Sequence, residues 1–199
     1  MVLETTVLAN LAQDSTDALM RLRALLSEEG GLIAALVDPS SAGERSSATA
    51  GGASGERSPA SVAALGPRTA PQRAEYELLV EAIYEGYLLH YGAPRVLRAP
   101  DDDLRVLAGD RLYAIGLARL VELGDTLAVA ELADTISLSA LAQGAGECEL
   151  ADVVWAAGAR AVGWGSSEQH ARAKELVANG APEAFEAMRT SAQSSPASP

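Results

Sequence analysis

A single cysteine in 199 residues rules out an intrachain disulfide and fits a reducing compartment. That residue, Cys148, is flanked by Glu147 and Glu149 and reads as inert rather than as a nucleophile. Histidine is almost as scarce: His90 and His170 fall on separate helices without a cysteine nearby, which speaks against a zinc site. Basic side chains are few, 15 Lys and Arg against 27 Asp and Glu for a net charge of −12. The basic footprint that nucleic acid requires is therefore missing, and attraction to an anionic membrane surface is unfavourable. Met1-Val-Leu-Glu-Thr-Thr has no basic start, so no signal peptide is expected. Each long apolar run contains an acid or an arginine within 18 residues, so no transmembrane helix is expected either. A cytoplasmic protein is the resulting expectation. Aromatic residues make up only 4% of the chain. The core must then be built from Ala, Leu and Val, with Trp155 and Trp164 as its few large anchors.

The remaining pattern is helical. Nothing alternates with period two over a useful length, and the high alanine content favours helix. Residues 1–37 form an N-terminal helical segment, with Val7, Leu8, Leu11, Ala18, Leu19, Leu22, Leu25 and Leu26 at helical spacing until Gly30-Gly31. Residues 38–70 are rich in Ser, Ala, Gly and Pro and read as a disordered internal linker. The core, 71–189, is expected to hold helices over about 71–91, 102–123, 126–143, 148–163 and 168–179, with a last one opened by Pro182. Asp125 is a natural cap for the third of these, and Ser166-Ser167 for the fifth. The chain 190–199 reads as a loose tail. The fold class is all-α.

Val106-Leu-Ala-Gly-Asp110 begins a long apolar stretch that ends at Leu123-Gly-Asp125. Together with Leu79–His90 upstream and Leu127–Glu147 downstream, it resembles three successive helices of the trans-polyprenyl diphosphate synthases. About 70 of the 199 residues carry the likeness, which implies a truncated isoprenoid-synthase-like helical bundle. In those enzymes two DDxxD motifs hold Mg²⁺ against an allylic diphosphate, since hard Mg²⁺ takes oxygen ligands. Here Tyr91-Gly-Ala-Pro-Arg95 stands where the first motif would follow Leu88-Leu-His90, and no second motif occurs. A full synthase is longer, so the helices bearing its second motif are expected to be absent. Lysine, which the family uses on diphosphate, occurs once, as Lys174. Gly66-Pro67-Arg68 only faintly echoes the family's Gly-Lys-Arg entry to the second substrate.

No catalytic residue, metal ligand or cofactor is therefore expected. Asp101-Asp102-Asp103 reads as a cap and acidic first turn rather than a displaced metal site, because consecutive acids point in different directions around a helix. Asp103 and Asp110 share a face and could form a residual polar site, with Asp110 expected to be buried and paired. Gly109 and Gly116, seven residues apart, open one face to close approach by a neighbouring backbone, either in ordinary internal packing of a small helical domain or in a subunit interface. The resemblance implies that this hairpin is a subunit interface, involving Gly109, Leu112, Gly116, Leu120, Leu127, Ala130, Asp134 and Leu138. Three readings follow. One is a non-catalytic subunit that pairs with a catalytic prenyl synthase, or with itself, and modulates activity or product length. Another is a free-standing helical protein holding an isoprenoid or other apolar ligand. The third is a residual magnesium enzyme using Asp101–Asp103 and Asp110.

Overall fold

A computed structural model describes residues 2–39 and 57–194, with side chains from Thr16 onward. The described residues are helical, joined by turns and one isolated bridge between Val37 and Leu97. The helices are α1 (Val2–Glu29), α2 (Gly31–Ala35), α3 (Pro59–Ala64), α4 (Arg73–Tyr91), α5 (Asp102–Glu122), α6 (Thr126–Gly144), α7 (Cys148–Trp164), α8 (Glu168–Ala178) and α9 (Ala184–Gln193). Two compact units are present: Met1–Ser61 with Glu77–Gly116, and Val62–Tyr76 with Leu117–Pro199. Among the described residues no helix is long and apolar enough to cross a membrane.

The first unit is organised around leucine. Leu22, Leu25 and Leu26 of α1 meet Ile33 and Leu36, then Leu78, Ala82 and Leu89 of α4, and Ala108, Leu112 and Ile115 of α5. Each such leucine contributes about 1.5–3 kcal/mol by leaving water. The side chains of Val7, Leu8 and Leu11 lie outside the described residues. Gly30 and Gly31 both have positive φ, 71° and 60°, which lets the chain reverse between α1 and α2 without a Cβ penalty. Within this unit α4 and α5 approach closely because three glycines allow it. A Cβ at Gly116 would overlap Ile83 and stand 3.2 Å from the Leu79 carbonyl; one at Gly109 would overlap His90, and one at Gly86 would meet Tyr113 at 3.0 Å. The close approach inferred from Gly109 and Gly116 is thus made by the chain's own α4.

In the second unit α7 is the central helix. Leu150, Val154, Trp155, Ala159 and Val162 are buried, and Gly158 admits Thr135 of α6 into van der Waals overlap range of any added Cβ. Helices α8 and α9 bury single stripes, His170, Ala173 and Val177 on one and Ala184, Met188 and Ser191 on the other. Asp125 caps α6 by accepting from the Ala128 amide at 3.0 Å, and Ser167 caps α8 by accepting from His170 at 3.1 Å.

Three expectations need correction. The linker expected over 38–70 is not featureless: α3 occupies Pro59–Ala64 and buries Ala60, Ala63 and Ala64, while Thr69 is also buried. Small side chains let this segment pack despite its low hydrophobicity; residues 40–56 of that range lie outside the described residues. The last helix starts at Ala184, after a turn containing Pro182, and runs through Gln193 into the expected tail, of which 195–199 lie outside the described residues. Trp155 anchors the core at 1% exposure, but Trp164 is only partly buried, with Arg160 stacked on its ring at 4.7 Å.

Candidate functional site

The residues singled out by the resemblance divide sharply. Helix α4 ends at Tyr91, followed by Gly92 and Pro94, a pair that stops a helix. Its acids Glu81 and Glu85 are fully buried, and both point at the segment that follows. Glu85 accepts from the amides of Arg95 and Val96, the latter at 2.7 Å, and from the Arg95 guanidinium at 3.1 Å. Glu81 pairs with the same guanidinium. Burial pushes the Glu81 carboxyl above its ordinary value, an effect that Arg95 opposes. The Arg95 carbonyl in turn accepts from Arg23 of α1 at 3.3 Å. These acids hold a loop. Their carboxylates are sealed from solvent.

The other acids of this region face outward. Asp101 accepts from the Leu104 amide at 2.8 Å and so caps α5. Asp103 is exposed, and Asp110 was expected to be buried but has a side chain 64% exposed, 3.3 Å from His90 Nε2. The two nitrogen and oxygen atoms are close without being aligned as a hydrogen bond. His90 instead packs flat on Tyr113, with centroids 5.4 Å apart and planes 10° apart. Position 110 is on the water side of α5 because Gly109 and Leu112 take the side facing α4. Asp103 and Asp110 therefore form no enclosed site. Among the described residues no group of His, Cys, Asp and Glu converges so as to hold a metal ion.

Of the residues assigned to an interface, Gly109, Leu112, Gly116, Leu120 and Leu138 are buried within this chain. Leu127, Ala130 and Asp134 of α6 face water, as does Leu141 further along the same stripe. Arg68 is ordered rather than part of a linker. It donates to the Val162 carbonyl at 2.6 Å and to both oxygens of Asp125 at 3.1 and 3.2 Å, while Tyr76 donates to Asp125 at 2.7 Å. Burial and the Asp125 contact push the Tyr76 hydroxyl up to about 12. Burial would raise the Asp125 carboxyl, but Tyr76, the Ala128 amide and Arg68 outweigh it and hold it below its ordinary value.

The second unit also holds a cluster that the sequence reading passed over. His170 of α8 lies between Ser191 of α9, 2.7 Å from Nδ1, and Glu131 of α6, 2.6 Å from Nε2. All three residues are buried. The other Glu131 oxygen accepts from Lys174 at 3.0 Å, and Lys174 also pairs with Asp134 at 2.7 Å. Burial pushes the Glu131 carboxyl up, but His170 and Lys174 together hold it below its ordinary value. The chain's one lysine is thus committed within the protein. A signal for this cluster existed: Glu131, His170 and Ser191 all sit in the apolar phase of their helices. Ser191 was missed because its segment was read as tail.

Comparison with known protein families, curated proteins and solved structures finds no match to this chain.

Proposed function

We propose that this chain is a non-catalytic, polyprenyl diphosphate synthase-like subunit that acts in the cytoplasm, associates with a catalytic prenyl synthase and modulates its activity or product length. The observation that carries the reading is the fate of the acids on α4. At the position where the resemblance calls for magnesium-binding carboxylates, the helix stops, and Glu81 and Glu85 are spent on Arg95 and the amides of residues 95 and 96. Magnesium catalysis of diphosphate ionisation needs several carboxylate oxygens converging on one open cavity. Asp110, exposed beside His90, does not supply that. The sole lysine is likewise engaged by Glu131 and Asp134.

An exposed stripe on α6 gives the partner somewhere to bind. Leu127 and Leu141, 72% and 54% exposed, flank Ala130, Asp134 and Ser137 at helical spacing, a mixed stripe of apolar ends and polar middle against which another helix can pack. The test is co-expression with a complete prenyl synthase from the same genome, followed by affinity purification and chromatography of the products. A stable complex whose product length differs from that of the synthase alone is the expected result. Absence of co-purification together with unchanged products would overturn the reading.

A further inference from the structure

Ser191 departs from its neighbours in how it uses its hydroxyl. Ser137 and Thr190 donate to the carbonyl four residues back in their own helices, at 2.9 and 2.8 Å, which is the ordinary fate of a helical hydroxyl. Ser191 instead meets His170 Nδ1 at 2.7 Å, and the opposite ring nitrogen meets the Glu131 carboxylate at 2.6 Å. A carboxylate only accepts, so Nε2 carries the proton facing Glu131; in the neutral imidazole that makes Nδ1 the acceptor for the Ser191 O–H. The same two residues, Ser191 and His170, line a pocket of about 190 Å³ together with Ala157, Ala161, Trp164 and Arg160. The proton of Ser191 is directed at His170, so the oxygen presents lone pairs to the pocket. Lone pairs repel a bound anion but suit attack on an electron-poor carbon.

We propose that Ser191, His170 and Glu131 form a nucleophilic triad that cleaves short-chain carboxylic esters in this pocket. Ser191 Oγ bonds to the ester carbonyl carbon while its proton passes to His170 Nδ1. The tetrahedral adduct collapses by breaking the bond to the alkoxide leaving group, which departs as an alcohol with the proton from His170. Water then repeats the sequence on the acyl-serine, and the carboxylic acid leaves. No oxidant or metal enters the balance. The roles match the general logic of a serine nucleophile, its base and an orienting acid. Glu131 is a positioning residue: it touches His170, not the ester, and Lys174 on its second oxygen holds the carboxylate in place. Arg160 stacks on Trp164 at 4.7 Å and brings positive charge to the pocket, where an oxyanion develops during acyl transfer. The modest volume and the alanine and tryptophan walls limit the acyl group to a short chain. The proposal does not rest on the subunit reading above, in which the chain is non-catalytic toward prenyl diphosphates; the two share α6 and the Glu131–Lys174 contact, but ester cleavage needs only the groups around the pocket.

The full chain is treated with a fluorophosphonate probe and mapped by peptide mass spectrometry, and its hydrolysis of p-nitrophenyl acetate and butyrate is followed in parallel. The expected result is phosphonylation of Ser191, with turnover of both esters abolished in Ser191→Ala. His170→Gln should slow labelling at least about 100-fold. Glu131→Gln should lower kcat while leaving KM unchanged, a split that a purely structural contact would not produce. Failure of the folded wild-type chain to be labelled at Ser191 overturns the proposal without relying on any variant. Ester turnover that persists in Ser191→Ala overturns it as well.

Discussion

The two units bury acids in opposite ways. In the first, Glu81 and Glu85 lie one turn apart on a single helix and share the Arg95 guanidinium, while Glu85 also takes the amides of residues 95 and 96. In the second, Glu131 reaches across to α8, where His170 passes the interaction on to Ser191 of α9 beside a pocket. Burying a carboxylate is costly in both places and is offset by a charged partner in each, Arg95 in the first and Lys174 in the second. What differs is the end of the chain of contacts. Backbone amides end it in the first unit, so the acids there can only fix a loop. A hydroxyl facing a cavity ends it in the second. Buried charge by itself therefore says little about chemistry; the last group in the network decides.

The largest effect should come from removing the acid whose partners cannot turn elsewhere. Glu85→Ala strands two buried amides and part of Arg95, and should cost about 3–5 kcal/mol, lowering the melting temperature by about 10 °C in calorimetry. A loss of less than about 1 kcal/mol would mean that the loop at 95–96 is held by something else. Next is Gly66→Ala. A Cβ there would overlap the Gly163 backbone, which cannot rotate aside as a side chain could, so a cost of about 1–3 kcal/mol is expected in chemical denaturation.

Acid titration sharpens the comparison further. Asp125 and Glu131 have carboxyls held below their ordinary values in the fold. The stability such groups contribute is present above the unfolded pKa, about 4, and is lost as pH falls through the lower folded value. Glu81 has the opposite sign: its raised value adds stability below the unfolded pKa, and that contribution is lost as pH rises through the folded pKa. Both tryptophans, Trp155 and Trp164, belong to the second unit, so their fluorescence should report destabilisation below about pH 4. In Asp125→Asn that acid transition should become shallower, with about 1–2 kcal/mol lost at neutral pH as cap and ion pair weaken; an unchanged pH profile would remove Asp125 from the account. The smallest effect on stability should come from Leu127→Gln, within about 0.5 kcal/mol as expected for an exposed position. The same variant should weaken co-purification with a prenyl synthase in a pull-down.

Much of the helix order could be read from the sequence because local signals marked the ends. Asp125 and Ser167 cap where expected, and Gly124, Gly165 and Gly180 take positive φ where a helix has just ended or a turn follows. Composition misled at 57–70, where alanines pack through small size rather than through hydrophobicity, and Arg68 is pinned by partners 57 and 94 positions away. The glycine spacing of α5 was informative about close approach but silent about the neighbour, which proved to be α4. Asp110 shows the same limit: its exposure depends on which face Gly109 offers to α4, a tertiary fact. The triad-like cluster joins three helices, and only polar residues standing in apolar phase hinted at it.

The most direct measurement of the central claim is a magnesium-dependent prenyl-transfer assay with radiolabelled allylic and homoallylic diphosphates. It is run on the purified chain, on a catalytic synthase and on the two together. The account predicts no product from the chain alone and an altered rate or product length for the mixture. Product formed by the chain alone, with magnesium required, would contradict it.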